Sequence, residues 1–96
     1  MLILITYDID TTTAAGKKRL NKIAKVCSNC GQRVQNSVFE CDLDSAMLTL
    51  IRKKLLDIID EDKDSLRFYN LGNKYTGKIE HYGVKETYDP EAELIL

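Results

Sequence analysis

Long apolar runs are missing from this chain. No stretch approaches the roughly 18 residues that a membrane span requires, and Met1-Leu2-Ile3 opens without the basic segment of a secretory leader. The expectation is a cytoplasmic protein with no membrane partner. Histidine occurs once, at His81, and no serine nucleophile motif precedes it, so triad chemistry has no support. Cysteine occurs three times, an odd number that fits a reducing compartment better than a disulfide framework. Repeats, linkers and low-complexity segments are also missing, and 96 residues suffice for one domain, 1–96, with one modest core.

Two motifs fail on inspection. Cys27-Ser28-Asn29-Cys30 is a C-x-x-C, but it falls at the end of a predicted helix, where the dipole raises rather than lowers a thiol pKa. A zinc site would want two further ligands, and only Cys41 and His81 remain, without paired spacing. Asp60-x-Asp62-x-Asp64 begins like a calcium loop. It then puts Ser65 where the glycine belongs and Leu71 where the bidentate glutamate belongs.

What is present is an ordinary soluble composition, 44% apolar and 30% charged, with a net charge of −1. The charge is unevenly spread. Thr11 to Phe39 holds Lys17, Lys18, Arg19, Lys22, Lys25 and Arg33 without one acid, whereas acids dominate from Glu40 to Leu66. A segregated basic surface grips phosphates even on a slightly acidic protein, and a dimer doubles its area.

The run Met1-Leu2-Ile3-Leu4-Ile5-Thr6-Tyr7 reads as a central strand covered on both faces. Leu20, Ile23, Ala24 and Cys27 form one stripe of a helix over about 14–28, with lysines opposite and Gly31 as a left-handed stop. Basic groups in its first turn oppose the dipole and hint at a partner beyond the helix. Gln32 to Leu43 is β-like, either one long strand or a hairpin turning near Gln35-Asn36. Asp44 or Ser45 caps a second helix reaching about Asp60, with Leu48, Ile51, Leu55, Ile58 and Ile59 inward. Strands follow over 65–71 and 78–82, and Glu93-Leu94-Ile95-Leu96 is an apolar terminal strand suited to pairing with a sheet edge. This order predicts an α+β sandwich of the ferredoxin-like βαββαβ kind with an extra C-terminal strand. The helix-free sheet face calls for a two-fold partner.

Asp8, at the tip of the first strand, is the first functional candidate, because ligands commonly bind at such a strand end. Asp8 and Asp10 are equally readable as a helix cap or an Asx-turn. One carboxylate holds Mg²⁺ poorly, so a dimer axis near this strand end would let two copies of Asp8 share one ion, or hold two ions with one carboxylate each. The ion would polarise a scissile phosphate and activate water, with Arg and Lys positioning the backbone.

Several stretches together resemble the CRISPR-associated protein Cas2 family. They are Met1 to Ile9, Lys25-Val26-Cys27, Gly31-Gln32-Arg33-Val34-Gln35-Asn36-Ser37-Val38-Phe39-Glu40-Cys41, and Asp64-Ser65-Leu66-Arg67-Phe68-Tyr69-Asn70-Leu71-Gly72. With the ending Tyr88-Asp89-Pro90 to Leu96, the likeness is to its subtype I-C branch and spans essentially the whole chain. The resemblance implies a ferredoxin-like homodimer, a metal-dependent endonuclease activity on RNA or duplex DNA, and a place in spacer acquisition. In that place it is the central dimer bridging two dimers of the larger CRISPR integrase (Cas-one). By the same resemblance Asp8 falls on the Mg²⁺ ligand and catalytic residue. Tyr7, Arg19, Arg33 and Phe39 fall on positions tied to nucleic-acid handling. Lys17 stands where the family often has arginine, keeping the charge and losing the fork. Ser37 is a plausible phosphate or water contact, and Asp10 is no more than a supporting carboxylate. The rival expectation is a non-catalytic adaptor that bridges DNA and the integrase, and a third is a small-ligand regulatory module.

Overall fold

The structure is a computed structural model, and it describes residues 1–72 and 78–84. The elements run β1 (Leu2–Asp8), α1 (Ala14–Cys30), β2 (Gln32–Gln35), β3 (Val38–Asp42), α2 (Ser45–Ile58), β4 (Ser65–Asn70) and β5 (Lys78–Gly83). Among the described residues five strands form one antiparallel sheet in the order β2-β3-β1-β4-β5, with β1 in the middle. The small α+β fold expected from the sequence is the one observed. The segment 32–43 resolves as a hairpin, whose register shifts between Arg33 and Gln35. The segment 73–77 and the expected terminal strand Glu93–Leu96 lie outside the described residues.

Each helix starts where a side chain satisfies an orphan amide. Thr13 Oγ1 accepts from the Gly16 N–H at 3.1 Å, and Asp44 Oδ1 accepts from the Met47 N–H at 2.7 Å. The first helix runs two residues past the expected Ser28 and stops at Gly31, though not by a left-handed turn. Gly31 has an extended backbone, φ −162°. The physical reason for glycine is close approach: a Cβ there would collide with the Glu40 carbonyl and the Cys41 sulfur.

Ile23 and Cys27 of α1, and Leu48, Ile51 and Leu55 of α2, bury against Ile3, Ile5, Phe39, Cys41, Leu66 and Phe68 of the sheet. At about 25 cal/mol per Å² of apolar surface, this shared core is the main stabilising term of the fold. One expectation needs correcting. β1 is not covered on both faces: Ile3, Ile5 and Tyr7 are buried, Leu4 and Thr6 only half-buried, and Leu2 and Asp8 exposed. Both helices lie on one side, so alternation turns every second residue of the apolar run onto the open side. No helix among the described residues is long and apolar enough to cross a membrane.

Candidate metal and nucleic-acid site

The site is built around the C-terminal end of β1. Because Tyr7 points into the core, its neighbour Asp8 points to the helix-free face, opposite Ser65 of β4. Asp8 is exposed, and none of the ion pairs among the described residues includes it. A single chain does not complete a metal centre there, since no three His, Cys, Asp or Glu residues gather as one among the described residues. An exposed, unpaired carboxylate does fit a hard divalent cation that keeps water and phosphate oxygens as its other ligands.

Two residues on, Asp10 adopts the local role that the sequence left open. Its Oδ1 accepts from the Thr12 N–H at 2.9 Å and the Thr12 hydroxyl at 2.7 Å, and these bonds hold its carboxyl below the usual range. Its backbone N–H donates to Asp64 Oδ1 at 2.9 Å. Asp64, 0% exposed, also accepts from the Asp60 N–H at 2.9 Å and from Arg19 Nε at 2.8 Å. Burial alone would raise the Asp64 pKa, but the Arg19 contact and the two amides outweigh it and the carboxyl is lowered. In the sequence Asp64 stands only at the end of the failed calcium-loop pattern and at the start of a stretch that resembles the family. Its burial shows in no periodicity, and the sole hint was its place in Asp64-Ser65-Leu66-Arg67-Phe68.

The same contact corrects the expectation for Arg19. Its guanidinium is committed to a buried carboxylate, with Nη2 also 3.4 Å from Asp64 Oδ1, and is therefore not simply offered to phosphate. Asp64 accounts for Arg19 alone among the basic residues near the start of α1. Lys17, in the same turn, is exposed, as are Lys18, Lys22 and Lys25.

The remaining candidates gather at the β2–β3 hairpin on the helix side. Tyr7 and Phe39 stack with centroids 6.2 Å apart at 18°, and the Arg33 guanidinium carbon lies 5.0 Å above the Phe39 ring. Arg33 itself is exposed. Phe39 is 0% exposed and Tyr7 6%, so neither offers a face for a base to stack on, contrary to a direct nucleic-acid contact. The pair instead forms the floor beneath Arg33. Burial, and next the nearby Cys27, push the Tyr7 hydroxyl pKa up, with Arg33 opposing. Its main-chain N–H donates to the half-buried Ser37's carbonyl at 3.1 Å, tying the hairpin turn to the end of β1. Asp8 and Arg33 thus stand on opposite faces of one sheet and do not share a contact point.

His81 is half-buried rather than exposed, and both ring nitrogens are engaged. Nδ1 accepts from Arg67 Nε at 2.7 Å, and Nε2 donates to the Val84 carbonyl at 2.6 Å. Both nitrogens are therefore taken up by hydrogen bonds within this chain.

Known proteins resemble this chain throughout its length. The family model described as CRISPR associated protein Cas2 matches residues 1–79. A CRISPR-associated endonuclease Cas2 of Halalkalibacterium halodurans is 58% identical over 96 residues, covering all of both chains. A CRISPR-associated endoribonuclease Cas2 of Chlorobaculum tepidum is 55% identical, again with full coverage of both. The crystal structure of Streptococcus pyogenes Cas2 at pH 6.5 superposes with a TM-score of 0.71 at 53% identity, covering 78% of this chain and 90% of that one. With a central β1 carrying an exposed Asp8 and a basic α1 beside it, and with these matches over its whole length, this chain belongs to the CRISPR-associated protein Cas2 family.

Proposed function

We propose that this chain is a Mg²⁺-dependent endonuclease that acts as a homodimer, with Asp8 of both copies holding the metal. The observation that carries this reading is the position of Asp8, an exposed carboxylate at the end of the central strand on the face the helices leave open. Leu2, Leu4, Thr6 and Val38 supply partly exposed surface for a two-fold partner, and an isologous contact brings two equivalent strand ends into play. The Cas2 relatives named endonuclease and endoribonuclease support phosphodiester cleavage as the chemistry.

When bound, the ion would supply Lewis-acid polarisation of a phosphate oxygen and a more acidic water. The protein's own part is to place the carboxylate and grip the backbone. Asp64 anchors the Asp10 N–H and, through it, the chain leaving Asp8. Arg33 on its aromatic floor and the exposed Lys17 hold nucleic-acid backbone on the helix side of the sheet, away from the phosphate at Asp8. Contacts of this kind read backbone charge on DNA and RNA alike. We place the chain in the subtype I-C-like branch, as its Asp64 to Gly72 stretch and its Tyr88-Asp89-Pro90 ending suggest. Its biological setting would be spacer acquisition, as the dimer bridging the larger integrase, a role that family membership supports.

The test is Mg²⁺-dependent cleavage of linear duplex DNA and single-stranded RNA by wild type and Asp8→Asn. The expected result is cutting by wild type and none by a folded, dimeric Asp8→Asn. Equal cutting by both, or by neither, overturns the reading in favour of a DNA-bridging adaptor.

A further inference from the structure

The cysteines set aside in the sequence acquire a geometry in the fold, and the relevant pair is not the C-x-x-C. Cys30, the last residue of α1, places its Sγ 3.4 Å from Sγ of Cys41 on β3, eleven residues on. The two come together because Gly31 lets the chain turn directly against Glu40 and Cys41, where any side chain would collide. Cys30's own S–H faces the Cys27 carbonyl at 3.4 Å, so the contact with Cys41 is made with Cys41 as donor.

Access is one-sided. Cys30 is half-buried and lines a cleft of about 390 Å³ between α1 and α2, with Val26, Asn29, Leu43, Met47 and Lys54. Cys41 and Cys27 are buried at 1% and 0% exposure. The hydrogen bond from Cys41 draws the Cys30 thiol pKa down, and the same bond, with burial, drives Cys41 up. Burial foremost, and then Cys30, push Cys27 up to about 12, so it stays a thiol. One sulfur is therefore reachable from the cleft, and its neighbour is shielded and in contact with it.

We propose that Cys30 and Cys41 are a redox pair: Cys30 is the site at which a low-molecular-weight disulfide modifies this protein, and Cys41 resolves the adduct into an intrachain bond. In the first step the Cys30 thiolate attacks one sulfur of the disulfide. A protein mixed disulfide forms, and one small thiolate departs and takes up a proton. In the second, Cys41 gives its proton to the other departing small thiolate as its sulfur attacks that of Cys30. Two protein thiols are oxidised and one small disulfide is reduced to two thiols. The closing bond needs the sulfurs to approach from 3.4 Å to about 2.0 Å, a movement open to the terminal residue of a helix. It ties the end of α1 to β3 and closes a ring around β2 and the hairpin turn, which carry Arg33 and Ser37. The inference does not depend on the nuclease reading.

The test is equilibration of the full-length reduced protein with excess glutathione disulfide, followed by thiol counting, intact mass and non-reducing peptide mapping. The expected product has lost two hydrogen atoms, keeps one free thiol, Cys27, and yields a Cys30–Cys41 linked peptide. Cys41→Ser is expected to stop at the glutathione adduct on Cys30, and Cys30→Ser to remain unmodified at Cys41. Three free thiols at equilibrium, a Cys27–Cys30 link, or a wild-type adduct persisting on Cys30 would each overturn the proposal. The wild-type map decides by itself, so a variant that fails to fold does not weaken the test.

Discussion

Arg19 Nε lies 2.8 Å from Oδ2 of Asp64, a carboxylate wholly removed from solvent that also receives the amides of Asp10 and Asp60. Three segments distant in sequence are thus held by one side chain: the exit of β1, the first turns of α1 and the loop before β4. Breaking a buried pair by removing one member typically costs about 3–5 kcal/mol, because the other is left uncompensated. Asp64→Ala is expected to cost that much in a urea titration, and Arg19→Ala to lower the urea midpoint as well. Unchanged stability of Arg19→Ala, with nucleic-acid binding lost, would return Arg19 to the phosphate-contact role.

The same residue sets an acid limit. Its carboxyl pKa is lowered in the folded chain, so its stabilising contribution is present above the unfolded value of about 4 and fades as pH falls through the folded one. Urea midpoints measured downward from pH 7 should decline for wild type through the acid range. For Asp64→Asn the decline should be shallower, and parallel curves would contradict the assignment.

Arg33 is expected to contribute charge and its aromatic floor to contribute position. Arg33→Ala should weaken duplex binding and reduce the slope of log affinity against log salt by about one. Phe39→Ala should remove the floor and open a core cavity, at a cost of about 3–5 kcal/mol. A salt slope unchanged in Arg33→Ala would show that the hairpin does not touch phosphate.

The sequence made much of this legible. The 3.6 period places both helices because each buries one face, whereas β1 is legible as an apolar run whose one-sided burial the run itself hides, and β4 buries five of its six residues. The Thr13 and Asp44 caps follow from local chemistry and needed no tertiary information. Asp64 was hidden by its setting, since a buried carboxylate among three acids looks like any solvated loop until its distant partners are placed. Phe39 and Tyr7 were named as candidates, yet their sequence positions could not say that they lie beneath Arg33 rather than beside it. The Cys30–Cys41 contact was obscured by a more conspicuous spacing, Cys27 to Cys30, which competes for notice but not for geometry.

The most direct measurement of the shared-metal account is cleavage by mixed dimers of wild type and Asp8→Asn, co-refolded in varying ratio at fixed total protein. If both copies of Asp8 hold one catalytic ion, activity follows the square of the wild-type fraction, about one quarter of full rate at equal mixing. A rate of about one half at equal mixing, linear in the wild-type fraction, would mean that each chain cuts alone, and would contradict the account.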